Sequence, residues 1–343
     1  MKTQAYLFIF IIFFLSCAES VNLNHNFLEN RYRHLFTAQK KIDLADYPGA
    51  FNPSLFKHDE KFILTFRYTP HEDALWISYI GIVILDESLE PVSEPQLVDT
   101  RSGNFNTPSQ SEDCRIFSCD NKLYLIYNDN TENTGALPTD RRDMYVAELT
   151  QENGRYAVSP PLKLMHETQY SKQLWQKNWV PFEWEGTLLL SYTVTPHEIL
   201  LPDLQTGLCK PLYKTSGKIK WDWGKIRGGT PAIKVGDDYL AFFHSSRINR
   251  SQASKGKRVW HYYMGAYLFS SEPPFKIKKY LPSPLIGEDF YTESDSIKHV
   301  VFPGGFVIDD NKIHIAYGKD DSEIWIATIE KNTLLDEMVR IKY

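Results

Sequence analysis

A set of polar side chains recurs at the ends of short apolar segments along this chain: Asn52 and Arg67, Glu112, Asp113 and Arg115, Lys177 and Asn178, Arg227 and His244, and Asp321. For any one of them, a solvated turn residue is the ordinary explanation. As a group they argue otherwise. Structural repeats would reuse one residue type at a given position, whereas a binding site needs different chemistry on each wall. Gathered at one mouth, these residues would line a pocket with carboxylates, guanidinium and ammonium groups, amides and an imidazole.

The elements that must deliver them follow a repeat. A polar or Pro-containing entry leads into a short apolar strand, then a tight turn rich in Asp, Asn, Gly or Glu, then a strongly apolar strand ending in a polar residue. Five copies occupy residues 52–67, 112–127, 177–192, 228–244 and 300–317. Their starts lie 60, 65, 51 and 72 residues apart, which leaves room for two further strands after each hairpin. Such strands are expected at 75–85, 144–149, 260–269 and 324–329. Hairpins with turn residues at fixed offsets, repeated at this period, predict an all-β chain folded as a five-bladed β-propeller, the first strand of each blade lying beside the central channel. The third blade is the least regular, since Pro and Gly interrupt residues 199–215. No long helix is expected after residue 35.

With 343 residues, 42% of them apolar, the chain can bury a large core. Its formal net charge of −5 leaves no broad basic field to hold phosphodiesters, so nucleic acid is not expected as a partner. The first residues differ from all the rest: Lys2, an apolar run over residues 5–15, then Ser16-Cys17-Ala18. That order predicts a signal peptide over residues 1–17. The run is too short to cross a bilayer, which takes roughly 20 helical residues. An N-terminal extension is expected over 18–40 and the propeller over 41–343. The mature protein is expected to be exported, whether periplasmic, secreted or lipid-anchored at the cell surface. Cys17 is either a lipidation site, the one route to a membrane, or an incidental cysteine. Cys114, Cys119 and Cys209 remain; the first two either pair or stay as core thiols. No metal-ligand spacing occurs, and no cofactor is expected.

The hairpin motifs resemble those of glycoside hydrolase family 130, the β-mannoside phosphorylases and β-1,2-mannosidases, in order from about Asn52 to Asp321. The most specific is Glu112-Asp113-Cys114-Arg115 against the family's Glu-Asp-Pro-Arg. The resemblance implies a carbohydrate-active enzyme on β-mannosidic or related linkages, with inversion and an oligosaccharide or glycan as substrate. Asp113 takes the place of the catalytic acid, which protonates the glycosidic oxygen through a sugar hydroxyl. Asn52, Arg67, Glu112, Arg115, Lys177, Asn178 and Asp321 fall at sugar-binding positions. Arg227, His244 and Tyr262 are candidates for binding inorganic phosphate as co-substrate, His244 and Tyr262 by the resemblance. The chain departs from the family pattern at Cys114 for Pro, Phe243-His244-Ser245 for Tyr-His-Gly, and Lys319-Asp320 for Ala-Ala, and these departures bear most on phosphorolysis.

Chemistry separates the alternatives. Inverting hydrolysis needs an acid and a second carboxylate spaced to hold a water, whereas phosphorolysis needs one acid and a cationic cage. Glu288 and Glu293 are candidates for the second carboxylate; Lys177, Arg227, His244 and Tyr262 are candidates for the cage. Two other readings stay open. One is a five-bladed glycosidase of the arabinan-degrading or invertase type, for which only Asp43 and Asp46 precede the first hairpin; the other is a non-catalytic carbohydrate-binding propeller. The basic stretch 247–258 is either a lid over an anionic substrate or a solvated connection. Trp76, Trp179, Trp221 and Trp223 are candidates to stack on sugar rings.

Overall fold

The computed structural model describes residues 31–70, 77–101, 108–130, 141–169, 175–217 and 219–342. The expected signal peptide, Cys17 and Trp76 lie outside them. The described residues are all-β in character, and the α-helix Lys331–Glu337 is only seven residues long. No helix among the described residues is long and apolar enough to cross a membrane.

Four antiparallel strands, Phe51–His58, Lys61–Tyr68, Tyr79–Leu85 and Gln96–Val98, form the first sheet in chain order. A nine-stranded sheet follows. It joins a meander that begins Glu112–Cys119, Lys122–Asp129, Asp143–Glu152 to another running Val180–Trp184, Thr187–Thr193, His197–Pro202, Leu208–Thr215. The joint is the strand Leu162–His166, antiparallel to Asp143–Glu152 and parallel to Leu208–Thr215. A seven-stranded sheet is built on the long hairpin Asp238–Asn249 and Val259–Ser270. The last sheet holds Val301–Asp309, Lys312–Lys319 and Glu323–Glu330.

Local sequence explains the hairpins. Their tips carry Asp59, Asp120, Asn121, Glu185, Gly186, Gly236 and Asp310 at positive φ, where Gly, Asn and Asp are least penalised. The first strands Phe51–His58, Glu112–Cys119 and Val301–Asp309 are buried on both faces at their starts. These strands therefore read as apolar runs rather than alternating ones. They also approach closely: a Cβ on Gly304 would stand 2.1 Å from the Pro53 carbonyl oxygen, so only glycine fits there.

The sheets pack face to face in chain order. Ile63, Ile80 and Ile82 of the first meet Ile116, Leu125 and Tyr127 of the second meander. Val146 and Leu164 meet Leu188, Leu190 and Leu200 of the third. Phe182 and Leu189 meet Phe243, Tyr267 and Phe269 of the fourth. Phe242 and Met264 meet Phe306 and Ile315 of the last sheet. The series then returns to its start, where Ile324 and Ile326 pack on Phe62, Leu64 and Val83. Each fully buried aromatic or aliphatic side chain contributes about 1.5–3 kcal/mol.

Three sequence expectations change. The strand Phe36–Ile42 pairs antiparallel with Glu323–Glu330 as the outer strand of the last sheet, so the expected boundary between residues 40 and 41 falls inside an element. The outer half of the third meander forms two paired strands despite its prolines, because Pro202 ends a strand and Pro211 sits at a register shift, where neither needs a ladder N–H. Cys114 and Cys119 lie on one strand, roughly 15 Å apart, beyond disulfide reach. Both are free and buried, as is Cys209.

Candidate active site

Two irregular strand starts create the centre of the site. Register shifts open the strand pairing between Phe51 and Ser54 and again between Glu112 and Arg115. Within these bulges Asn52 and Asp113 adopt φ of 45° and 53°. A bulge of this kind turns a side chain out of the strand's alternation, and here it turns both toward each other: Asn52 Nδ2 donates to Asp113 Oδ1 at 2.8 Å. Such backbone costs about 1–3 kcal/mol per residue and persists only where packing holds it. Gly318 does so for Asn52, since a Cβ there would lie 2.1 Å from Asn52 Oδ1.

Glu112 gathers the cations. Its Oε1 accepts from Arg67 at 2.9 Å and pairs with Arg142 at 3.1 Å, while Lys177 Nζ donates to Oε2 at 2.6 Å. Arg67 also stands 3.5 Å from Asp113 Oδ1. Burial alone would raise the Asp113 carboxyl. The charges of Arg67, Lys177 and Arg115, with the Asn52 hydrogen bond, outweigh it and hold Asp113 at about 2. Burial likewise opposes ionisation of Glu112, and Arg67, Lys177 and Arg142 overcome it, leaving that carboxyl lowered. Both are carboxylates at neutral pH.

Arg115 lies beneath this pair with no exposed surface. It donates through Nε to the Gly229 carbonyl at 2.5 Å, through Nη1 to the Asp113 carbonyl at 2.7 Å and through Nη2 to Asn178 Oδ1 at 3.0 Å. It thus ties three hairpin entries together, and Asn178, at φ 64°, is held by it. His244 is fully buried; its ring lies parallel to Tyr262 at 6.2 Å and 4.8 Å from Phe302. Burial, reinforced by Arg115 and Arg227, lowers it to about 3, so it is a neutral imidazole rather than a cation. Its Nδ1 is buried without a hydrogen-bond partner, as are Arg67 Nε and Asn128 Oδ1. Arg227, exposed, pairs with His244 in the strand register. Asp321 is ion-paired with Lys298 and lies within electrostatic reach of Arg67.

The remaining candidates sit elsewhere. Glu288 pairs with Arg33 at the surface, and its amide donates to Gln39 on the outermost strand of the last sheet. Glu293 is exposed. Trp179 is 1% exposed and belongs to the core. Trp221 and Trp223 pack together at 5.2 Å, with Trp221 Nε1 donating to Ser245 Oγ. In the basic stretch, Lys255 and Lys257 pair with Asp295. Among the described residues no group of three or more His, Cys, Asp and Glu side chains is placed to hold a metal. A cavity of about 430 Å³ opens at the far end of the inner strands among Phe56, Phe117, Phe182 and Trp184, and Asp113 does not line it.

Three residues join the site that the sequence did not single out. Arg142 stands just before the strand Asp143–Glu152 and lies outside the hairpin copies. Asp129 ends the strand after Glu112–Cys119 and is half-buried; burial pushes its carboxyl up to about 6 against the pull of Ser111, the Asn130 amide and Arg142. Trp175 is 58% exposed, its ring centroid 5.3 Å from Lys177 Nζ.

A family model described as beta-1,4-mannooligosaccharide phosphorylase, of glycoside hydrolase family 130, matches residues 26–340. A 1,2-beta-oligomannan phosphorylase of Thermoanaerobacter sp. (strain X514) is 27% identical over 124 residues, 36% of this chain. The match spans 37% of that relative's length. Among solved structures, a glycosyl hydrolase from Bacteroides ovatus superposes with a TM-score of 0.61 at 15% identity, over 89% of this chain and 93% of its own. The beta-1,2-mannobiose phosphorylase from Listeria innocua, in complex with beta-1,2-mannobiose, gives 0.56 at 14% identity, over 88% and 93%. At these identities the structural likeness speaks for the fold.

Proposed function

The chain belongs to glycoside hydrolase family 130, and from that premise we propose that it cleaves β-mannosidic linkages of oligosaccharides by inverting phosphorolysis, with Asp113 as proton donor. The observation that carries the choice of phosphate is the charge count around the carboxylate pair. Glu112 and Asp113 stand among Arg67, Arg142, Lys177 and the buried Arg115. With the neighbouring charges counted, Arg67, Arg142, Lys177, Arg115, Arg227 and Lys298 face Glu112, Asp113, Asp129 and Asp321, six cations against four carboxylates, and His244 adds no charge. Such a surplus in a buried site favours an incoming anion. The unpartnered Arg67 Nε and His244 Nδ1 are polar atoms that a ligand would satisfy.

Phosphate also answers the protonation problem. Asp113 is ionised while the site is cation-rich, and an arriving phosphate adds negative charge that raises its pKa toward the protonated form a general acid requires. In the reaction a phosphate oxygen bonds to the anomeric carbon from the face opposite the leaving sugar. The C–O bond to that sugar breaks, its electron pair stays on the glycosidic oxygen, and the Asp113 proton reaches that oxygen through a sugar hydroxyl. The products are a sugar 1-phosphate of inverted configuration and the shortened saccharide.

We read the meanders as five blades: the cyclic order of the core clusters supports this, with the nine-stranded sheet counted as two blades joined by their outer strands. The leader over residues 1–17 supports export, with Cys17 as a candidate lipid anchor. The test of function is to incubate the purified protein with β-1,2- and β-1,4-mannobiose, with and without phosphate. Mannose 1-phosphate formed only with phosphate is the expected result; free mannose released equally without phosphate would replace phosphorolysis by hydrolysis.

A further inference from the structure

Trp175 is an exposed indole on a rigid mount. Its backbone forms a parallel bridge with Arg142, and the next residue, Gln176, donates its amide to the Arg142 carbonyl at 2.8 Å. Arg142 in turn pairs with Glu112 at 3.1 Å. On the side-chain route, the ring lies 5.3 Å from Lys177 Nζ, which donates to Glu112 Oε2 at 2.6 Å. The indole is thereby anchored twice to the residue that precedes Asp113. Leaving so large an apolar surface in water forgoes about 1.5–3 kcal/mol of burial, while a fixed aromatic face beside a lysine suits a ligand with one apolar face and several hydroxyls. A β-mannopyranose ring is such a ligand. Its face opposite the axial 2-hydroxyl presents the C–H bonds of C1, C3 and C5.

We propose that Trp175 is the stacking platform for the sugar adjacent to the scissile linkage, with the Lys177 ammonium beside it donating a hydrogen bond to a sugar hydroxyl. This rests on the assignment of β-mannoside cleavage above and adds to it a specificity-determining residue. A platform acts on saccharide affinity. An indole that only shields Lys177 would act instead through the Glu112 network, on turnover and phosphate.

The experiment compares the full-length wild type with Trp175→Ala and Trp175→Phe. Steady-state rates are measured on β-mannotriose and on phosphate, each varied in turn, and β-mannotriose binding is followed by calorimetry, which needs no turnover. Trp175→Ala should raise the KM for mannotriose, and weaken its binding, about tenfold. Its kcat should stay within about twofold and its phosphate KM should not move. Trp175→Phe should restore most of the affinity. An active wild type whose Trp175→Ala variant binds mannotriose equally well, or loses kcat and phosphate affinity together, overturns the platform and leaves the β-mannoside activity standing. An inactive wild type that binds mannotriose through Trp175 overturns the activity and keeps the platform. A wild type that neither turns over nor binds mannotriose overturns both.

Discussion

Asn52 and Asp113 meet at 2.8 Å across 61 residues of sequence, and both do so from left-handed backbone. Neither side chain would point where it does from a regular strand. The contact therefore depends on whatever holds each bulge open, and for Asn52 that is the absence of a side chain on Gly318.

Gly318→Ala should displace Asn52, because the new methyl would stand 2.1 Å from its Oδ1 and 2.7 Å from its amide nitrogen. Loss of the Asn52 hydrogen bond leaves Asp113 free to rotate. Activity should fall by at least tenfold, whereas Asn52→Gly removes only the side-chain part of the clash, so a following Gly318→Ala should cost less than in the wild type without becoming silent, the backbone of residue 52 still lying 2.7 Å from the new methyl. A double-mutant cycle on initial rates checks the coupling.

Asp113→Asn should lower kcat by roughly 10²–10⁴-fold, the usual worth of general acid catalysis. Asparagine tolerates positive φ as aspartate does, so the bulge survives. The lost carboxylate leaves Arg67 less well paired, so a drop in Tm of a few degrees is expected, about 2 °C per kcal/mol or less for a chain of this length. A near-normal rate with unchanged melting would move the acid elsewhere.

Glu112→Gln should be the more damaging change to the fold. Its carboxylate answers Arg67, Arg142 and Lys177 together while nearly buried, and uncompensated buried charge typically costs about 3–5 kcal/mol. Thermal melts of the two variants side by side should rank Glu112→Gln well below Asp113→Asn.

Asp129 sets a pH dependence of stability with a defined sign. Its folded pKa, about 6, lies above the ordinary value of 3.8. Folding therefore favours the protonated form: this contribution is full below pH 3.8 and is lost as pH rises through about 6. Asp129→Asn should flatten the loss of stability between those limits, measured as denaturant midpoints at a series of pH values. Asp113 has the opposite sign, its stabilisation disappearing as pH falls from 3.8 toward about 2.

The strand pairs were legible in the sequence because hairpin turns announce themselves: Asp59, Asp120, Asn121 and Asp310 are the residues a tight turn demands. Strands running through 144–149, 260–269 and 324–329 follow from apolar runs of the right length. The convergence of Asn52, Arg67, Glu112, Asp113, Lys177 and Asn178 was also readable, from five copies that differ where repeats should agree. Long-range pairing was not. Nothing local in residues 36–42 reveals that they bond to 323–330, since an edge strand takes its partner from the far end of the chain. Trp179 looked like a stacking residue because it follows Lys177 and Asn178 at a hairpin entry; it stands just before the strand Val180–Trp184 and is buried in the core. Arg142 and Asp129 were missed because the hairpin pattern stops at Tyr127, before the polar end of that strand and the polar start of the next.

The strand Phe36–Ile42 has a temporal meaning as well as a spatial one. Its partner, Glu323–Glu330, is synthesised only after the first sheet, the nine-stranded sheet and the long hairpin, so Phe36–Ile42 waits unpaired while all of these are made. Until residue 330 emerges, the first sheet also lacks Ile324 and Ile326 against Phe62 and Val83. The molecule is thus fastened by a clasp whose two halves are made on either side of the intervening sheets, and a chain cut short just before residue 323 leaves Phe36–Ile42 and Lys312–Lys319 each with an open edge.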